Sequence, residues 1–207
     1  MESALDIIIQ KRRSIRRYKS DIPNEQLIYS MIECAAYAPS PSNSQPVRFI
    51  RVNSKDLKDK LSTVIKNRFN EYLTRADSKK IKNLIKYYFR FTDFMFTAPI
   101  LFAVGVVKNT ESFSKKLFES GLINSDLRGN TDLDISLGLA LKGFLLKGHE
   151  LGLGTCILTA PLVFVSDASD LLGIDEIRIK CFVTVGFPDE TPQFIEKRLA
   201  NDIYMEI

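Results

Sequence analysis

Apolar residues recur at helical spacing from the start of the chain, where Leu5, Ile8 and Ile9 predict a first helix from about Ala4 to Arg12. Ile22-Pro23-Asn24 reads as a turn. Asn24 then caps a second helix whose apolar face is Leu27, Ile28, Met31, Ile32 and Ala35. Pro39, Pro41 and Pro46 forbid its continuation, because proline removes a donor and restricts the residue before it. Val47 to Val52 predicts a first strand. Ser54 caps a third helix carrying Leu57, Leu61, Val64 and Ile65, and a basic helix covers about Lys79 to Arg90.

Pro99 opens the most hydrophobic strand, which reads as central and covered on both faces. Lys108 to Thr131 is polar, contains glycine and lacks clear periodicity, the pattern of a lid or insertion. Asp132 caps a helix from Leu133 to Glu150 whose leucines surround it almost completely, so it belongs in a core or against a second chain. Gly152 and Gly154 end it, Thr155 to Leu158 are extended, and Pro161 starts a short helix. Arg178 to Gly186 is a last core strand ending in the turn Gly186-Phe187-Pro188, and the tail from Thr191 has little to bury alone. Helices and strands mixed in this way predict an α+β fold of three layers, a mixed central sheet of four or five strands flanked by helices. No internal repeat or low-complexity linker divides the 207 residues, which read as a single domain.

A chain of this size buries roughly 70% of its unfolded surface and needs no disulfides. Three scattered cysteines form no C-x-x-C pair, and one histidine cannot build a His-rich metal site, so no metal is expected. The longest apolar run, residues 98–107, is half the ~20 residues a membrane helix needs, and the start lacks a secretion signal. The expectation is a cytoplasmic protein with no membrane partner. A net charge of +4 is too mild to indicate nucleic acid as a partner.

The charge is unevenly spread. Lys11 to Lys19 (KRRSIRRYK) holds six basic residues in nine positions, interrupted by Ser14. Such a run reads either as a solvated helix end or arm, or as an anion site in which planar guanidinium groups grip a phosphate monoester. The turn at 38–46 reads as a plain Pro/Ser loop or as part of a site. No G-x-G-x-x-G opens a helix after a strand, which dismisses a dinucleotide loop. His149 reads as a helix cap or interface hydrogen bond before a catalyst, and Cys156 and Cys181 as small buried hydrophobes. Tyr87 to Phe96 reads as core, as a lid wall, or as a surface that stacks on flat substrates.

Five segments in order resemble the FMN-dependent nitroreductase family. They are Arg12-Arg13-Ser14-Ile15-Arg16, Ala38-Pro39-Ser40-x-x-Asn43-x-Gln45-Pro46, Leu151-Gly152-Leu153-Gly154-Thr155-Cys156, Val185-Gly186-Phe187-Pro188, and the pair Lys197-Arg198. The resemblance implies an intertwined homodimer binding FMN at its interface. Arg12, Arg13, Ser14 and Arg16 would hold the phosphate and ribityl chain, with Lys197 or Arg198 closing over the phosphate. Ser40, Pro41, Ser42 and Asn43 would come from the second chain. Ile157, Leu158, Thr159 and Ala160 would line one face of the flavin ring, with a backbone N–H of Thr159 or Ala160 directed at N5. Arg16 is the candidate cation near N1 and O2, and no side chain is cast as a catalyst, because the cofactor carries the chemistry.

The implied activity is ping-pong hydride transfer from NAD(P)H through FMN to a nitroaromatic, quinone or flavin. The alternatives are a same-scaffold enzyme with another acceptor, such as a reductive dehalogenase or a dehydrogenase, and a non-catalytic flavin-binding module. Two features depart from the family. Val47 stands where typical members carry Trp, and Phe89 to Phe94 lacks the Asn and Lys that some members place before the central strand, leaving Arg90 as a substitute.

Overall fold

The computed structural model describes residues 2–108, 110–111, 113–124, 129–165 and 167–207, with 129 and 130 as backbone only. In chain order the elements are α1 (Ala4–Lys11), α2 (Glu25–Ala36), β1 (Val47–Arg51), α3 (Lys55–Arg75), α4 (Lys79–Asp93), β2 (Ile100–Val107), α5 (Phe113–Glu119), α6 (Gly129–Glu150), β3 (Gly154–Leu158), α7 (Pro161–Phe164), α8 (Ala168–Leu172) and β4 (Ile177–Gly186). The caps expected at Asn24 and Ser54 form. Asn24 Oδ1 accepts from the Leu27 N–H at 3.0 Å, and Ser54 Oγ from the Leu57 N–H at 3.3 Å.

The sheet order is β1-β2-β4-β3, so β2 and β4 are central and β1 and β3 are the edges. All three pairings are antiparallel. The sheet expected from sequence to be mixed is antiparallel in all three strand pairings, and the parallel bridge between Ser14 and Thr155 lies outside its strands.

Strand alternation divides the core into two layers. Ile100, Phe102, Val104 and Val106 of β2 face α2 and α6, where Phe144 stacks on Phe49 at 4.7 Å. Leu101 and Ala103 face the opposite way, toward Leu61 and Ile65 of α3 and Phe164 of α7. On β4 the alternation slips, because Val104 pairs Cys181 while Gly105 pairs Ile179, leaving Lys180 as the extra residue of a bulge. Ile179 and Phe182 therefore share one core layer although three positions separate them. A Cβ on Gly105 would lie 2.2 Å from the Arg178 carbonyl oxygen, so no side chain fits at the bulge.

Two expectations need correction. The long helix begins at Gly129 rather than after Asp132, which lies in its first turn and accepts the Ser136 hydroxyl on its carbonyl at 2.9 Å. Only one face of α6 is covered within the chain. Leu137, Ala140, Leu141, Phe144 and Leu145 are buried, while Ile135 and Leu139 stand 58% and 43% exposed. The segment 108–131, read as aperiodic, contains α5, supported by the Lys116–Glu111 ion pair at 2.7 Å. The remainder of that expected lid at 109, 112 and 125–128 lies outside the described residues.

Candidate functional site

Helix α1 ends because Arg12 takes an extended conformation (φ −57°, ψ 130°), which sends the basic run along the outer edge of β3. The Ile15 N–H donates to the Thr155 carbonyl at 3.0 Å, and Ile15 is buried against Gly154. The run then crosses to the end of β4. There Lys19 N–H donates to Phe187 O at 2.9 Å and Asp189 N–H donates to Arg17 O at 3.0 Å. Tyr18 fastens it from beneath, its hydroxyl 2.7 Å from Thr184 Oγ1 on β4. The run is anchored backbone, not a loose arm.

Its charge is concentrated and mostly unmatched. Arg17 meets Glu190 at 3.9 Å, and Glu190 Oε1 also accepts from the N–H groups of Arg16 and Arg17. Among the described residues Arg12, Arg13 and Arg16 have no carboxylate partner. Burial foremost, and then the charge of Arg13, hold the Arg12 guanidinium below its ordinary value. His149 is held low too, by burial and then by Arg12, Arg13 and Lys11. Burial raises the Cys156 thiol, against the opposing influence of Arg16, a hydrogen bond with Ser14, and Arg12. A positive field with few counter-charges on ordered backbone fits a phosphate dianion.

The individual arginines differ. Arg13 turns back on α1, its Nη1 donating to the carbonyls of Gln10 and Arg12, and lies 5.4 Å over the Phe194 ring of the tail. Arg16 projects outward over the Phe91 ring of α4 at 5.5 Å. Lys197 and Arg198 follow Phe194 within four residues and are exposed.

On β3, Ile157 is 36% exposed while Leu158 is 4% exposed in the core layer with Phe164 and Phe182. Neighbouring strand residues point to opposite sides, so Ile157 presents its side chain outward while Leu158 offers its backbone there. Thr159 is exposed and Ala160 opens α7; their carbonyls accept from Leu162 and Val163, while among the described residues their own N–H groups have no acceptor.

The turn at 40–46 is strongly constrained. Ser40 Oγ accepts from the Gln45 N–H at 2.9 Å and Asn43 Oδ1 from Gln45 Nε2 at 3.1 Å. Ser42, Asn43 and Gln45 all take positive φ (52°, 53° and 45°), a costly geometry for side-chain-bearing residues that concentrates at ligand sites. A cavity of about 310 Å³ lies behind the turn, bounded by Ser40, Gln45, Val47 and Ala140. The turn precedes β1, however, and β1 is the edge opposite β3. Three strand spacings, about 14 Å, separate the edges. One chain therefore brings Arg12, Ser14, Arg16 and Ile157–Ala160 together and leaves Ser40–Asn43 on the far side.

Glu190, Phe91, Phe194 and Tyr18 belong to this neighbourhood and were not singled out from sequence as site residues. Glu190 follows the Gly186-Phe187-Pro188 turn, a position adjacent to a recognised segment. Phe91 lay within the aromatic stretch.

Among known proteins the chain is similar in structure to a BluB-like flavoprotein from Clostridium difficile 630, with a TM-score of 0.84 and 26% identity over 99% of each chain. In sequence it is 28% identical over 191 residues to the iodotyrosine deiodinase of Thermotoga neapolitana, covering 88% of each. It is 23% identical over 206 residues to YfhC of Bacillus subtilis, named provisionally as an NAD(P)H nitroreductase, covering 99% of this chain and 95% of the other. The sequence profile of the nitroreductase family matches residues 9–187, and with a match over most of its length the chain belongs to that family.

Proposed function

We propose that the protein is an FMN-dependent oxidoreductase that uses NAD(P)H to reduce a nitroaromatic, quinone or flavin acceptor by a ping-pong route, and that it works as a homodimer. Membership of the nitroreductase family carries the oxidoreductase class. The observation that carries the cofactor is the anchored basic run beside β3, whose guanidinium groups lack carboxylate partners. Bound there, FMN would supply the hydride chemistry.

The chain's own residues would bind, orient and shield. Arg12, Ser14 and Arg16 hold the phosphate and ribityl end, with Arg13 bracing the helix end beside them. Lys197 or Arg198 closes over the phosphate when the tail folds in. Ile157 offers an apolar surface to the ring, and the N–H groups of Thr159 and Ala160 are donors for a ring nitrogen. Arg16 would supply the cation beside the pyrimidine edge of the flavin. Ser40, Pro41, Ser42 and Asn43 complete the site from a second subunit, which the opposite-edge placement of the turn favours. The exposed Ile135 and Leu139 of α6 suit the same subunit contact.

An absorbance spectrum of the purified protein tests this reading, followed by anaerobic titration with NADH and NADPH. The expected result is a yellow protein that either nucleotide bleaches. A colourless protein that takes up no FMN overturns it. A second reading keeps the flavin but changes the acceptor, and similarity to an iodotyrosine deiodinase and a BluB-like flavoprotein favours it. Reoxidation rates with a nitroarene, a quinone and an iodophenol distinguish the two.

A further inference from the structure

Helix α4 carries aromatic side chains that serve neither core layer. Ile85 and Phe89 turn inward, and Phe89 stacks on Phe69 of α3 at 3.9 Å. Tyr87 and Tyr88 stand about half exposed, and Phe91 is half-buried outside both layers. Exposed aromatic rings at successive turns of a helix gain little from folding, which directs attention to what they face.

They form a continuous ladder. Arg16 lies 5.5 Å over the Phe91 ring, Phe91 meets the Tyr87 ring edge-on at 5.1 Å, and Arg90 lies 5.9 Å over Tyr87. Cation, ring, ring and cation thus alternate from the basic run outward along α4. The spacing is intrinsic to the helix, because residues three and four apart are neighbours: Tyr87 to Arg90, and Tyr87 to Phe91. Lys86 stands one turn before Arg90 on the same side.

The sign of the charge is unambiguous. From 79 to 93 the helix holds Lys79, Lys80, Lys82, Lys86 and Arg90 against Asp93. Two carboxylates on neighbouring elements are already matched. Glu71 of α3 accepts from Arg68 at 2.8 Å and Arg75 at 3.0 Å, and Glu190 is bonded to the Arg16 and Arg17 amides and paired with Arg17. We infer that the Phe91–Tyr87–Arg90 face of α4 selects planar aromatic acceptors that carry a negative charge, the rings receiving the aromatic plane and Arg90, with Lys86 behind it, the anionic group. This rests on the proposed oxidoreductase reading and assigns its substrate class.

The test is equilibrium binding to oxidised, FMN-loaded protein, followed through the flavin absorbance band, with 4-nitrobenzoate and its neutral methyl ester as probes. Wild type should bind the carboxylate about fivefold more tightly than the ester, the span of one partly exposed ion pair. The preference should shrink in high salt. Arg90→Gln should abolish the preference, Arg90→Lys should keep most of it, and Lys86→Gln should reduce it. Tyr87→Leu should weaken both probes and leave their ratio unchanged. Flavin content and circular dichroism of each variant report folding, and Lys86→Gln tests the idea should Arg90→Gln fail to fold. Equal affinities in flavin-loaded wild type, or a preference that survives Arg90→Gln, overturns the inference and leaves the flavin reading intact. A wild-type protein that takes up no FMN overturns both.

Discussion

The Tyr18 phenol oxygen lies 2.7 Å from the Thr184 hydroxyl in the centre of the sheet, and it donates its own proton to the carbonyl of Ile15. One side chain thus ties the middle of the basic run to β4, 166 positions away in sequence. Burial foremost pushes the phenol well above its ordinary value, which favours the protonated, donating form.

Tyr18→Phe should therefore act on the site through position alone. It removes both hydrogen bonds while keeping the ring, at a cost of about 1–2 kcal/mol. The denaturant midpoint of the apoprotein should fall accordingly. FMN affinity, read by quenching of free-flavin fluorescence, should fall as well, because the guanidinium groups lose a fixed backbone.

Gly154 tests the same anchorage by steric means. A Cβ there would lie 2.7 Å from Ile15 Cβ, a distance that real side chains do not adopt. Gly154→Ala should push the run off β3 and cost about 1–3 kcal/mol. Its effect on flavin affinity should exceed that of Gly152→Ala, whose penalty is backbone strain at φ 76° with no neighbour to displace. Parallel thermal melts and flavin titrations separate the two contributions.

The legible and illegible parts of this protein divide along physical lines. Asn24 and Ser54 were readable as caps because a cap bond spans only three residues. The basic run was readable as chemistry because charge density is a property of sequence alone. Glu190, Phe91 and Phe194 were not, since each joins the run through tertiary contacts that no local spacing encodes. Leu158 shows a subtler limit. Its alternation with Ile157 was visible, but which of the two enters the core depends on the helices packed against β3. The bulge at Lys180 hid similarly, because a slip of one residue shows only in the pairing.

His149 is the chain's single histidine and so a clean probe of the field around the run. Its folded value lies below the ordinary 6.5, with burial the first cause and Arg12, Arg13 and Lys11 following. As pH falls through 6.5 the unfolded chain takes up a proton before the folded one does, so stability should decline toward acid. His149→Gln should flatten that slope in melts between about pH 7 and pH 5. A bound phosphate dianion offsets the cationic part of the field and not the burial. The imidazole resonance followed by proton NMR should therefore titrate at higher pH with FMN than without it.

The proposed sharing of the site between subunits admits a test by complementation. Arg12→Ala with Arg16→Ala disables the run, while Ser40→Ala with Asn43→Ala disables the turn on the opposite sheet edge. Each double variant alone should retain little FMN, since every site in its homodimer carries the same defect. Mixed under subunit exchange, half of the dimers become hybrids, and each hybrid has one site with both defects and one with neither. About a quarter of all sites should then recover full flavin affinity. A site built within one chain predicts no recovery at all, because no exchange can then bring an intact run beside an intact turn. Flavin retained after gel filtration of the mixture, measured against each parent, decides between the two arrangements.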